Sequence, residues 1–564
     1  PALKPGDGVR LKATLSPPPG PALPGDYDFA RAAWFAGLGA VGFSRTAAEI
    51  DPNAGQAPIA LQFSAAIARV RQAIGRRIVA ALPGEAGAIA NALITGERGG
   101  ITESTNQAFR DSGLFHILSI SGLHMVIMAG AVFLCIRFAL AAIPSIALRY
   151  PTKKWAAAGA MAGALAYLLI SGAAFATVRS YIMISIMFIA VLLDRPALAL
   201  RNVALAALLI LLLWPESLFD PGFQMSFAAV VCLVSAYEWL RVRDEAREGW
   251  MRRGPLARTG LFFGGIVTST LVASLAVAPF GIYHFHNTQQ FAILANLLAI
   301  PACNLIVMPA GLAALVAMPF GLEAAPLWLM GRGIDAMVWC ANAVARLPGA
   351  VGRVAAIPTY AFILMVAGGL WWALWSTRWR TLGVVPIALG LMLAPTGHRP
   401  DMLIGRGADL VAVRAADGKL SALAGRGSTF ELSRWLEHDG DGRTPAEAAK
   451  AQAFLCDQSG CIARVKGMRV AVAGSAAALR DDCAAASIVV LKFPKPKACR
   501  PLGLVLDSDD VRVRGAHALR IMDGRIVIET VAEMRGDRPW SARRDANGDA
   551  TDDDEQPVRG RMAR

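Results

Sequence analysis

Across its 564 residues the chain is 55% hydrophobic, with a mean hydropathy of +0.46, well above a soluble average, so an ordinary soluble enzyme is excluded and a polytopic membrane protein is expected. The formal charge of +14 does not by itself indicate nucleic-acid binding, because cytoplasmic loops of membrane proteins collect Lys and Arg whatever their ligand. The chain opens at Pro1 without a signal-like segment, so a fragment or a processed product is expected.

Residues Pro1 to Phe43 are soluble in character. Gly6 to Leu15 alternates as a strand, and Ser16-Pro17-Pro18-Pro19-Gly20-Pro21 reads as a stiff loop. Lys4, Arg10 and Lys12 lie near Tyr27, Phe29, Trp34 and Phe35. That mixture suits a single strand of nucleic acid, and it equally suits a solvated strand face beside an amphipathic connector. Leu61 to Thr95 alternates Ile67, Val70, Ile74, Ile78 and Val79 with Arg69, Arg71, Arg76 and Arg77, the pattern of an amphipathic helix with one basic face. It is expected along the membrane surface, touching lipid headgroups, DNA phosphates or both, lipid being the cheaper explanation.

From Gly96 to Gly130 a charged segment runs straight into an apolar one. Glu97, Arg98, Glu103, Arg110 and Asp111 need water, whereas Met125 to Ile136 carries no charge. His116, Ser119, Ser121, Gly122 and His124 stand between. In a continuous helix His116, Ile120 and His124 share roughly one face, and two imidazoles look into the bundle together. The plainer reading is a pair of half-solvated interfacial histidines, with Ser and Gly permitting close helix packing. On the first reading, Leu in place of either histidine keeps the helix, since Leu is the better helix former.

Apolar segments follow at about Phe115 to Ala142, Trp155 to Ile170, Ala173 to Leu193, Val203 to Phe219, Phe223 to Leu240, Leu261 to Tyr283, Phe291 to Met318, Pro326 to Ala345, Tyr360 to Trp375 and Leu382 to Ala394. These predict about ten spans, the seventh broken by proline and the eighth only weakly apolar. Lys and Arg crowd the exits of the first, third, fifth and ninth spans, while the loops at Ser171-Gly172, Asp220-Pro221 and His284 to Gln290 carry none. The odd exits are therefore cytoplasmic, and both ends of the chain face the periplasm. Arg137, Arg179, Asn296, Asn304, Arg332 and Asp335 fall in or near apolar spans and are expected to face the bundle interior or a wet path. Arg179 lies deepest. It either lines such a path or forms a structural ion pair, with Asp335 as an available partner.

After His398 the chain is soluble again. Asp409 to Leu420 predicts a hairpin, and Gly467 to Val472, Ser487 to Leu491 and Gly524 to Ile528 predict strands. Glu533 to Arg564, nearly without apolar residues, predicts a disordered tail. Cys135, Cys232, Cys303 and Cys340 sit in apolar stretches as small buried hydrophobes. Cys456, Cys461, Cys483 and Cys499 form an even set in the polar region, suited to two disulfides in an oxidising compartment. Pairing neighbours closes the shortest loops. Zinc is the competing reading, but Cys456 and Cys461 are not a close-spaced ligand pair and no histidine adjoins either.

The run Ala92-Leu93-Ile94-Thr95-Gly96-Glu97-Arg98, followed by Phe109-Arg110-Asp111-Ser112-Gly113-Leu114-Phe115-His116-Ile117-Leu118-Ser119-Ile120-Ser121-Gly122-Leu123-His124, resembles the signature of the ComEC-type competence family, inner-membrane channels of natural transformation. Asp220-Pro221-Gly222-Phe223-Gln224-Met225-Ser226-Phe227 and Ala295-Asn296-Leu297-Leu298-Ala299-Ile300-Pro301 are similar to further family motifs, in the right order. The resemblance covers roughly Pro1 to Thr396. It implies a membrane all-α polytopic bundle (115–396), approached through the amphipathic helix and motif segment (57–114). It further implies a partial OB-like β domain (1–50) and a C-terminal α+β domain (398–532) resembling a degenerate metallo-β-lactamase-like domain.

The implied function is passage of single-stranded DNA from periplasm to cytoplasm. Arg110, His116, Ser119, Ser121, Gly122, His124 and Asn296 become candidate channel or motif residues through the resemblance, and Arg179 through its depth; Lys4, Arg10 and Lys12 become candidate DNA contacts. Expected partners are single-stranded DNA, membrane lipid, a periplasmic DNA-receptor protein and a cytoplasmic motor or single-strand-binding proteins. No nucleotide-binding loop of the form G-x-x-x-x-G-K-[ST] is present, so any motor is a separate protein. Many relatives carry H-x-H-x-D-H zinc ligands in the C-terminal domain. Here the nearest string is His438-Asp439-Gly440-Asp441, so no catalytic residue, metal or cofactor is expected. A membrane-anchored nuclease and a small-molecule transporter are the rival readings.

Overall fold

The computed structural model describes residues 3–245, 255–425, 427–450, 453–496 and 503–541. They form two compact units. The first comprises Pro1–Leu11, Ala47–Gly352 and Ile357–Thr396, and the second Lys12–Thr46, Arg353–Ala356 and the chain from Gly397.

Each of the ten apolar segments is helical in the first unit. Among the described residues six helices are long and apolar enough to cross a membrane: Gly122–Ala141, Phe175–Leu192, Pro221–Leu240, Gly260–Phe285, Ala292–Phe320 and Arg378–Thr396. Leu200–Leu213 and Thr359–Leu374 are shorter apolar helices. Thr152–Ile170 and Ala324–Ala345 are long but too small-residue-rich or too polar to join the six.

Three breaks differ from the sequence expectations. The predicted helix over Leu61 to Thr95 is two helices, Ile59–Ala81 and Glu85–Thr95, because Pro83 lacks an N–H and Gly84 takes φ +79°. The first span is likewise divided: Phe115–Leu118 is one short helix, Ser119 is extended, and the long helix starts at Gly122. The seventh segment, by contrast, is not broken. Ala292–Phe320 runs as one rod with a π-helical turn at Ala302–Val307 between Pro301 and Pro309. Each proline removes one intrahelical bond, and the wider turn lets the backbone stay helical between them.

The core of this unit contains the apolar motif residues themselves. Ile89, Leu93, Phe109, Leu114, Ile117 and Leu118 pack with Met125, Ala295, Leu327, Met330, Ile334 and Met337, all of them buried. The weakly apolar helix Ala324–Ala345 buries Leu327, Met330, Ile334, Met337 and Ala341 on one stripe, at the helical spacing that the sequence carries. Its other stripe is exposed, and Arg332 pairs there with Asp335 at 3.2 Å. Those two charges, and the exposed Arg137 near the end of its helix, therefore do not face the interior. The first two neutralise one another one turn apart, and a long side chain near a helix end can carry its charge outward.

The second unit is a face-to-face pair of five-stranded sheets. One is antiparallel, in the order Arg525–Thr530, His517–Met522, Met402–Ile404, Leu410–Arg414, Leu420–Ala424; the other is mixed, in the order Phe454–Cys456, Gly460–Val465, Met468–Ala473, Ile488–Leu491, Leu504–Leu506. Strand periodicity splits the side chains between layers. Met402, Ile404, Val411 and Val413 point into the inter-sheet core with Val465, Val470, Val472 and Val490. Leu403, Leu410 and Ala412 turn the other way, onto the helix Thr429–Asp439 through Leu432, Trp435 and Leu436. On the outer face of the second sheet, Ala471, Val489 and Leu491 meet Leu479 and Cys483. Sheets covered on both faces explain the continuous apolar runs. The predicted hairpin and three strands are present; the other strands were not read from the sequence.

The predicted domain at 1–50 is divided. Val9–Arg10 pairs with Glu49–Ile50 in the first unit, and Ala13–Ser16 pairs with Val41–Ser44 in the second. These are two-stranded ribbons, and the described residues close no barrel. Within the second unit the N-terminal segment is fastened to the C-terminal one: Trp435 Nε1 donates to the Ala22 carbonyl at 2.9 Å, Arg434 pairs with Asp26 at 2.7 Å, and Arg535 pairs with Asp28 at 2.8 Å. Arg535 ends a helix, Val531–Arg535, and the Trp540 ring lies 5.6 Å from that of Phe35. The expected tail therefore does not begin at Glu533, since these residues are packed; its remainder, 542–564, lies outside the described residues.

Candidate functional site

The motif run folds into a set of close backbone contacts. Glu85–Thr95 ends on Gly96 at φ +79°, and a Cβ there would stand 2.3 Å from the Ser171 carbonyl oxygen. Only glycine fits. Tyr167 donates from Oη to the Leu93 carbonyl at 2.7 Å, and Glu97 pairs with Arg71 at 3.4 Å, so the motif is stitched to the Ser171-Gly172 loop. Gly113, at φ +79°, lies against Gln289 and Ala292. Gln224 Oε1 meets His284 Nε2 at 2.8 Å. Two of the three loops without Lys or Arg thus touch the motif run, and the helix that follows the third, Pro221–Glu245, is bonded to the His284 loop through Gln224.

Arg110 is exposed, paired with Glu103 at 2.7 Å and set over the Phe115 ring at 5.1 Å. His116 is exposed, and its Nδ1 donates to the Gly113 carbonyl at 2.9 Å. Because Ser119 is extended, His116, Ile120 and His124 do not share a helix face. His124 is fully buried. Its Nδ1 accepts from the Ser121 backbone N–H at 3.1 Å, so the proton sits on Nε2, 3.6 Å from Cys303 Sγ on the π-helical turn. Gly122 starts the helix, and a Cβ there would make an ordinary contact with Ser180 Oγ at 3.7 Å.

Arg179 is buried, at 7% exposure. Its carboxylate is Asp220, with Oδ1 3.8 Å from Nη1, and not Asp335, which Arg332 holds. Asp220 belongs to the second motif, a pairing not read from the sequence. Asn296 is buried, and its Oδ1 has no partner; the same holds for Oδ1 of Asn304 and Nε of Arg179. The structure therefore brings Arg179 to Asp220 and His124 to Cys303, and leaves Arg110 and His116 at the surface.

The other predicted positions are scattered. Lys4 and Arg10 belong to the first unit and Lys12 to the second; Arg10 pairs with Asp51 at 3.3 Å. Cys456 and Cys461, directly opposite across a hairpin, are joined by a disulfide. Cys483 is also disulfide-bonded, while Cys499 lies outside the described residues. Of the four apolar-segment cysteines, Cys303 and Cys340 are buried, Cys232 is half-buried, and Cys135 is exposed on an apolar helix face. No cluster of three His, Cys, Asp or Glu side chains suited to a metal occurs among the described residues.

A family profile described as Competence protein matches residues 93–379. The chain is 25% identical over 233 residues to ComE operon protein 3 of Bacillus subtilis, covering 41% of this chain and 26% of that protein. It is 29% identical over 312 residues to Competence protein ComA of Neisseria gonorrhoeae, covering 55% and 41%. Against the uncharacterized protein YcaI of Escherichia coli it is 26% identical over 348 residues, covering 57% and 42%. The chain thus spans less than half the length of each of these relatives. No solved structure matches it. The profile covers the motif run from Leu93 on, both later motifs and the membrane-length helices between them, and the chain belongs to the Competence protein family.

Proposed function

We propose that this chain is a multi-pass inner-membrane channel protein that passes single-stranded DNA from periplasm to cytoplasm during natural transformation. The observation that carries the reading is that polar atoms within the apolar helices lack hydrogen-bond partners, among them Arg179 Nε, Ser185 Oγ, Thr270 Oγ1, Asn296 Oδ1 and Asn304 Oδ1. In a membrane interior each unsatisfied group costs several kcal/mol, a cost that is removed when the helices part and a wet path opens onto the group. A strand bearing one charge per phosphate needs such a path, with positive or hydrogen-bonding walls.

On this reading both soluble segments are periplasmic, as the Lys and Arg distribution requires. The two-sheet unit corresponds to the family's hydrolase-like domain in a degenerate form without its zinc-ligand string. A periplasmic receptor delivers DNA, and a cytoplasmic motor or single-strand-binding protein draws it in, since the sequence carries no nucleotide loop. Uptake of labelled DNA into the cytoplasm of a strain lacking the gene, with and without a plasmid-borne copy, tests the reading. Restored uptake is expected. A complemented strain that makes the protein yet takes up no DNA would overturn it.

A further inference from the structure

We propose that Arg179 is an anion-exchange site, at which the Asp220 carboxylate holds the place that a phosphodiester of the passing strand takes; this rests on the channel reading above. The Arg179 side chain is more than nine-tenths buried. Its Nε has no hydrogen-bond partner, and the carboxylate facing it stands at 3.8 Å, beyond hydrogen-bond reach. Its Cζ lies 5.8 Å from the centre of the Phe175 ring, a contact that supplies no hydrogen bond, so the buried guanidinium, balanced in charge but not hydrogen-bonded, is only partly compensated for its lost water.

Asp220 is also committed elsewhere. Its Oδ1 accepts from the Phe223 backbone N–H at 2.7 Å, capping the helix Pro221–Glu245, and its side chain is 39% exposed. The carboxylate therefore sits between the outside and the buried fork, at a long helix's N-terminus, where the backbone already favours an anion. Gly222 leaves the carboxylate its place beside the fork: a Cβ there would stand 2.9 Å from Asp220 Oδ1, and 3.7 Å from both Nη1 and Nη2. Phosphate oxygens match a planar guanidinium in a bidentate way that a carboxylate already serving as a cap does not. The competing carboxylate also weakens the hold on each phosphate. Transit demands that, since a site must bind well enough to admit an ion and weakly enough to release it.

The test uses the full chain purified in a neutral-headgroup detergent and a fluorescent abasic phosphodiester oligomer, with its uncharged methylphosphonate counterpart as control. Arg179→Gln is expected to weaken binding roughly tenfold at physiological salt, the scale of one lost charge-assisted hydrogen bond, and Arg179→Lys less. Asp220→Asn keeps the helix cap, because Asn caps as well as Asp, and is expected to tighten binding by a similar factor while slowing DNA uptake. Should Arg179→Gln fail to accumulate, Arg179→Lys and Asp220→Asn decide. Unchanged binding in Asp220→Asn overturns the exchange. Retention of phosphatidylglycerol that depends on Arg179, with no effect on the oligomer, also overturns the proposal and assigns a lipid headgroup instead. Oligomer binding that depends on Arg179 in a protein that restores no uptake keeps the site and retires the channel, and the converse result retires the site alone.

Discussion

At the scale of single residues, burial separates the two motif histidines that the sequence treats alike. His124→Leu abandons the Ser121 N–H and its bond to Nδ1, a loss of about 1–3 kcal/mol for a donor left unsatisfied. His116→Leu removes one exposed bond to Gly113 and costs little. Thermal unfolding of both variants in one detergent should show a lower midpoint for His124→Leu alone; equal midpoints would contradict the buried geometry. In the second unit, His517 is fully buried and donates from Nδ1 to the Gly515 carbonyl at 2.8 Å, while its Nε2 has no partner. Burial holds its pKa below the usual histidine value although the Gly515 bond works the other way, and burial does the same to His438. With folded values below the unfolded one of about 6.5, the unfolded state binds more protons, so stability is full above that pH and falls as pH drops through it. His517→Asn, which can still donate to Gly515, should show a smaller loss of calorimetric stability between about pH 7.5 and about pH 5.5. An unaltered slope would exclude His517 as a contributor. The sequence made Gly96, His116 and His124 visible by their motif. It could not show that Gly96 meets Ser171 or that only one histidine is buried, because those facts belong to chain segments far apart in sequence.

Helices were legible as elements because apolar length and period are local properties. Their breaks were not: the apolar period from Leu61 to Thr95 runs straight past the stop signal at Pro83-Gly84, Ser119 is extended without any proline beside it, and Pro301 and Pro309 are absorbed by a π-helical turn. That turn rests on Gly333, where a Cβ would stand 2.7 Å from Val307 Cγ2 and 3.0 Å from Ile306 Cγ2. Both neighbours are β-branched and stiff in a helix. For Gly333→Ala the overpacking should therefore outweigh the propensity gain, for a net loss of about 1–2 kcal/mol. Gly130→Ala, in open space, should be neutral or gain up to about 1 kcal/mol. The paired melting curves check both; a stabilised Gly333→Ala would mean that the π-helical turn yields freely.

For the whole molecule, the asymmetry of Lys and Arg between loops predicts that Pro400 lies outside the cytoplasm. A reporter that fluoresces only in the cytoplasm, fused after Pro400, should stay dark, and mass mapping of unreduced peptides from cells should find Cys456 bonded to Cys461. A bright fusion would reverse the orientation, and free thiols at both positions would remove the oxidising compartment. The apolar segments, the basic loops, a hairpin and three strands of the C-terminal region and the family motifs were determined by the sequence alone, because each is a matter of composition, period or spacing within a few tens of residues. Only the tertiary structure decided that Arg179 faces Asp220, that Gln224 meets His284 and that Cys303 lies against His124. It also decided that the N-terminal segment from Lys12 packs with the C-terminal sheets. Each of these pairings joins residues brought together by the packing of several helices or strands at once, and many side chains of the same type stand at similar helical or strand positions, so no local pattern singles out the partner.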